Sequence, residues 1–244
     1  MALKLFQDDP RWAKTVMWEG GTIEDQGCLL TSLTMVLLML DSQNNDCTTP
    51  DKLNKFAHEK EFYSINGKSG VQLYADMCLD ASNGRVQLLA KEEYLSGEEG
   101  WIAHFACDSY LLRSYRLLPP AIRQKYAIMV KIGVHDDDFA SHYLLVDPDE
   151  PGDVNENDFK VLDPAQPYDC KANYWTLSSS YEQIRKNRKI RAELDECQIE
   201  ELRISGVWLF GGSCNSYEGK LNSMLKNFVN YNSYVPEKYV LSGN

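Results

Sequence analysis

Cys28, His142 and Asp163 are the three side chains of this sequence whose types and settings point to chemistry. Cys28 follows Gly27 and opens Leu29–Leu40, an uncharged apolar run of helical length. A cysteine in the first turn of a helix lies where several backbone N–H groups lack an intrahelical partner. Those donors and the helix dipole favour a thiolate over a thiol. His142 sits in the strand-like segment Ser141–Asp147, and Asp163 closes the next one, Phe159–Leu162. A thiolate nucleophile needs an imidazole as ion-pair partner and, later, as proton donor to the leaving group. The imidazole needs an acceptor on its second nitrogen to hold tautomer and orientation. The plainer reading of Cys28 is a small packed hydrophobe, one of seven cysteines.

These groups need a rigid frame, and the surrounding pattern provides one. The Cys28 run has no charged face, which predicts a helix buried on nearly all sides. Thr49-Pro50 reads as a helix start leading into Asp51–Lys60, and Ser69 or Gly70 opens a short helix through Asp80. Strands are expected at Arg85–Ala90, Tyr126–Val134, Ser141–Asp147, Phe159–Leu162 and Leu202–Phe210, with helices at Trp175–Asp195 (capped by Ser178–Ser180) and Glu218–Val229. Helices first and antiparallel strands afterwards give an α+β fold class. At 244 residues the chain suits a single domain, 1–244, with an insertion around 91–125 packed on it and a C-terminal extension around 176–244.

A net charge of −11 argues against nucleic acid or an anionic membrane as partner. The one basic cluster, Arg185–Arg191, reads as a solvated helix face. The N-terminus lacks the apolar segment of a signal peptide, and Leu33–Leu40 is too short to span a bilayer. Seven cysteines without a C-x-x-C spacing fit reduced thiols better than zinc or a disulfide framework. The expected setting is the cytoplasm of the producing cell, with delivery into a host or target cell, or a place in a virion, left open.

Four short pieces carry a family likeness: Gln7-Asp8-Asp9-Pro10-Arg11-Trp12-Ala13; Gly27-Cys28 with Thr31-Ser32 and Met35-Val36; Ser141-His142-Tyr143 with Val146; and Leu162-Asp163-Pro164-Ala165. Together they resemble papain-like cysteine peptidases of the bacteriocin-leader-peptidase-like (double-glycine peptidase-like) group, over about residues 6–167. The resemblance implies a papain-like fold, with the nucleophile helix packed on an antiparallel sheet. It also implies Cys28 as nucleophile, His142 as general base and acid, and Asp163 as orienting carboxylate. Gly27 fits the family as the small residue that lets a substrate backbone approach the thiolate. Papain-like enzymes usually carry a glutamine several residues before the cysteine, as donor to the oxyanion. Here Thr22 stands six residues before Cys28, so the candidates are Gln26, Thr22 and Gln7, with Gln26 favoured.

The implied reaction is hydrolysis of an amide bond in a protein or peptide through an acyl-enzyme, with no cofactor and no metal. Two alternatives accompany it: a peptidoglycan amidase, endopeptidase or transglutaminase-like transferase on the same scaffold, and a catalytically inactive binding module. His135 is the rival base but belongs to an acidic loop, His135–Asp138, whose carboxylates read first as surface charge and only secondarily as a cation site. Asp147, Asp149, Glu150 and Asp153 read as surface charge too, and His58 and His104 as structural. Cys47, Cys78, Cys107, Cys170, Cys197 and Cys214 lack the glycine-before, helix-after setting of Cys28. Oligomeric state is not encoded in any of these features.

Overall fold

A computed structural model describes residues 4–17, 21–41, 46–62, 71–93, 109–134, 137–149, 159–169, 175–177, 179–180, 182–183 and 203–212. The fold is α+β. The helices in chain order are α1 (Ile23–Gln26), α2 (Cys28–Leu40), α3 (Pro50–Glu59), α4 (Val71–Ala81), α5 (Tyr110–Leu117) and α6 (Pro120–Arg123). The strands are β1 (Val86–Glu93), β2 (Tyr126–Val134), β3 (Asp137–Val146), β4 (Lys160–Leu162), β5 (Trp175–Thr176) and β6 (Arg203–Gly212). They form one sheet in the order β1-β6-β2-β3-β4-β5, with every neighbouring pair antiparallel.

Both faces of the sheet are covered. On one face α2, α3 and α4 pack Leu33, Leu37, Leu53 and Met77 against Met129, Leu145, Trp208 and Phe210. On the other, Leu111, Leu112 and Tyr115 of α5 meet Ile128, Val130, Leu144 and Val207. Burial on both faces explains why Tyr126–Val130 and Leu144–Val146 read as continuous apolar runs instead of alternating ones. Each such side chain contributes about 1.5–3 kcal/mol on leaving water. The 91–125 segment supplies α5 and α6 and extends β1 to Glu93, so what reads as an insertion closes the second face.

The C-terminal extension needs a correction. Within it, β6 lies between β1 and β2, pairing Leu88 with Phe210 on one side and Met129 with Trp208 on the other. It is the centre of the sheet rather than an appendage. Trp175–Thr176, expected to start a helix, pairs as β5 with Lys160–Val161, because Thr176 and Trp175 find open backbone partners there. Most of the expected 175–195 helix and all of Glu218–Val229 lie outside the described residues.

Local chemistry sets the element ends. Thr22 caps α1, accepting from Asp25 N–H at 3.3 Å, and Glu24 and Asp25 suit the positive end of its dipole. Pro50 stands in the first turn of α3, and Thr49 is extended at its N-cap without a side-chain cap bond. After α4, Asn83 (φ 51°) and Gly84 (φ 79°) turn the chain through the left-handed region into β1. Glu92, buried on β1, accepts from Ser109 Oγ at 2.6 Å and Leu111 N–H at 2.8 Å, which ties the start of α5 to the sheet. Among the described residues no helix is long and apolar enough to cross a membrane.

Candidate active site

The tip of α2 meets the sheet where β4 stops. β4 pairs with β3 only at Leu145↔Leu162 and Val146↔Val161, so the edge of β3 before Leu145 is left to α2. There Ser32 Oγ donates to the Tyr143 carbonyl at 3.1 Å, and the Tyr143 N–H donates to the Cys28 sulfur. Ser32 lies four residues after Cys28, on the same helix face, so one helix stripe carries both contacts. The next residue back on the strand is His142. The chain leaving β4 carries Asp163.

His142 Nε2 lies 2.7 Å from Asp163 Oδ1, and both side chains are buried. Because Nε2 faces the carboxylate, Nδ1 is the nitrogen left to hydrogen-bond Cys28. Asp163 Oδ1 also accepts from Ala165 N–H at 2.8 Å, which curls the chain after β4 and fixes the carboxylate. Cys28 itself is half-buried at the N-terminus of α2.

The electrostatics of the three groups are coupled. Burial pushes the Cys28 thiol up, but the His142 imidazole beside it and the N–H groups of Tyr143 and Leu29 outweigh that and hold it below the usual thiol value. Burial would lower His142, yet the Asp163 carboxylate and the Cys28 sulfur push it up to about 10. Burial would raise Asp163, and His142, Ser180 and the Ala165 N–H bring it below the usual carboxylate range. Each shift is toward the charged form: thiolate on Cys28, imidazolium on His142 and carboxylate on Asp163. The other described cysteines behave oppositely: burial pushes Cys47 up to about 11 and raises Cys78 as well.

The loop bearing Asp163 is held from the other end of the chain. Gln7 N–H donates to the Pro164 carbonyl at 2.9 Å, and Tyr168 N–H donates to the Asp8 carboxylate at 3.0 Å. Trp12, buried, donates from its indole to the Phe6 carbonyl at 2.7 Å and locks that turn, while Asp9 pairs with Arg11. Residues 7–13 and 162–165, two of the pieces that resemble the peptidase family, therefore touch.

The oxyanion candidates stand differently. Thr22 is engaged as the α1 cap. Gln7 Nε2 donates to the Glu24 carbonyl at 2.7 Å, which bridges the N-terminal turn to α1. The Gln26 side chain is exposed and lies over Gly21, where an added Cβ would come within 2.4 Å of it. Gly27 has a packing reason not visible in the sequence. A Cβ there would fall 2.3 Å from the Ile23 carbonyl oxygen, so the glycine lets α1 fold back on the start of α2. His135 and His104 lie outside the described residues, as do Cys107, Cys170, Cys197 and Cys214; Asp137 and Asp138 belong to β3. His58 is exposed on α3. Among the described residues no group of three His, Cys, Asp or Glu side chains could hold a metal ion. Asp147 is buried rather than a surface charge, and its carboxylate accepts from Asp149 N–H at 2.9 Å.

Three participants escaped sequence reasoning: the Tyr143 N–H, Ser32 and Ser180. Ser32 was findable from its i+4 spacing to Cys28; the other two depend on contacts between distant segments. No family model, no curated protein and no solved structure matches the chain.

Proposed function

We infer that this chain is a cysteine-type hydrolase with a papain-like arrangement, cutting an amide bond in a protein or peptide. The observation that carries the reading is the Cys28–His142–Asp163 contact series, in which Cys28 is lowered while His142 is raised. What supports a papain-like arrangement is that the first turns of α2 meet β3 at Tyr143, the residue next to His142.

In the mechanism that follows, the Cys28 thiolate attacks the substrate carbonyl carbon and its electron pair forms a C–S bond. The carbonyl π electrons move to oxygen. The N-terminal N–H groups of α2, which begins at Cys28, are the donors proposed for that oxyanion. His142 gives its proton to the leaving nitrogen, the C–N bond breaks and an acyl-enzyme remains. Water, deprotonated by the now neutral His142, attacks the thioester and the acid product leaves with Cys28 restored. Asp163 keeps the imidazole oriented throughout and stays ionised.

The test is the pH dependence of Cys28 alkylation by iodoacetamide in wild type and His142→Ala. Rapid labelling of Cys28 below pH 7, lost in the variant, is expected. Labelling with an ordinary thiol midpoint near 8.5, the same in both proteins, would refute the triad.

A further inference from the structure

Asp163 has two carboxylate oxygens, and the triad accounts for one. Oδ1 takes His142 Nε2 at 2.7 Å and Ala165 N–H at 2.8 Å. Oδ2 is buried without a formed hydrogen bond, and the same is true of Ser180 Oγ. Ser180 is 0% exposed, and its hydroxyl is close enough to Asp163 to help hold the carboxyl down. Buried polar atoms in folded chains are nearly always paired. Here a donor and an acceptor, complementary in type, are both left over beside each other.

The backbone around Ser180 is fixed for this task. Leu177 N–H donates to the Phe159 carbonyl at 2.8 Å, which anchors the chain beside β4. Thr176 Oγ1 then accepts from Ser179 N–H at 3.1 Å and lies 2.9 Å from Ser179 Oγ; Ser179 is exposed and Ser180 buried. We propose that Ser180 is a positioning residue whose hydroxyl donates to Asp163 Oδ2 and so keeps Oδ1 aimed at His142. The role rests on the triad reading given above. It adds a fourth polar group, reached from beyond β5, to three that come from the first 163 residues.

The test compares iodoacetamide alkylation of Cys28 against pH in wild type, Ser180→Ala, Ser180→Thr, Asp163→Asn and the double variant of Asp163→Asn with Ser180→Ala, with a thermal melt for each. The expected result is an acid limb shifted upward in Ser180→Ala, with the rate at pH 6 down about threefold to tenfold, as for loss of a typical net hydrogen bond. The threonine variant restores the hydroxyl and the limb. In the Asp163→Asn background Ser180→Ala adds no further loss, since both act on the same carboxylate. A folded Ser180→Ala protein with the wild-type profile overturns the role while leaving the triad standing. Equal shifts in the alanine and threonine variants, or a full additional loss in the Asp163→Asn background, also overturn it. A wild type without low-pH reactivity removes the triad, and the role with it. If the alanine variant does not melt cooperatively, Ser180→Gly takes its place under the same outcomes.

Discussion

The Asp163–His142 pair makes stability as well as reactivity depend on pH. Asp163 is lowered from 3.8, so its contribution is present above that value and is lost on acidification below it. His142 is raised from 6.5 to about 10, so its contribution is complete below 6.5 and disappears as the pH rises toward 10. Cys28 is lowered from 9.0, so its contribution grows as the pH rises toward that value and offsets the fall from His142. The difference in melting temperature between wild type and His142→Ala is therefore expected to hold level between 6.5 and 9.0 and to shrink on acidification below 6.5 and on approach to 10. A difference that is largest at pH 4 and falls steadily to pH 9 would contradict the sign. At Gly27 the cost is steric: a methyl group 2.3 Å from a backbone oxygen cannot be relieved by side-chain movement. Gly27→Ala is expected to lose about 1–3 kcal/mol, read by urea unfolding. The meeting of Cys28, His142 and Asp163 was legible from residue type and local setting. The reason for Gly27 was not, since it depends on how α1 folds back onto the start of α2.

Among the elements, α2 is held by its ends. Ser32 pins its first turns to β3, and Asp41, at its C-cap, takes a bidentate pair from Arg85 at 2.9 and 3.0 Å just before β1. Ser32→Ala should cost about 0.5–1.5 kcal/mol in a urea melt and also slow Cys28 alkylation at pH 6; unchanged alkylation would mean the staple does not set the approach of Cys28 to His142. The buried Glu92 plays the equivalent part for α5. Glu92→Ala strands the Ser109 hydroxyl and the Leu111 N–H, and a loss of about 1–3 kcal/mol is expected, with the alkylation profile of Cys28 unmoved. The apolar run of α2 and the strand at Tyr126–Val134 were visible from composition and length alone. β5 was not: two residues leave no periodicity, and their pairing with β4 is a long-range choice.

Across the whole molecule, the α+β class followed from the order of helices and strands, whereas the strand order in the sheet did not. Leu202–Phe210 read clearly as a strand, but nothing in its residues says that it must separate β1 from β2. That position has a consequence in time. Cys28, His142 and Asp163 all emerge from the ribosome before β6, yet the sheet that holds them stays split until residue 212 is made. Until then β1 and β2 present raw edges with no strand to pair them, the kind of surface that draws in other chains. A chain shortened to residue 200 should thus carry Cys28, His142 and Asp163 and show neither a cooperative melt nor a reactive thiol. In the cell, those open edges are a hazard of aggregation during synthesis, and the assembled Cys28–His142–Asp163 cluster arrives all at once with the late strand.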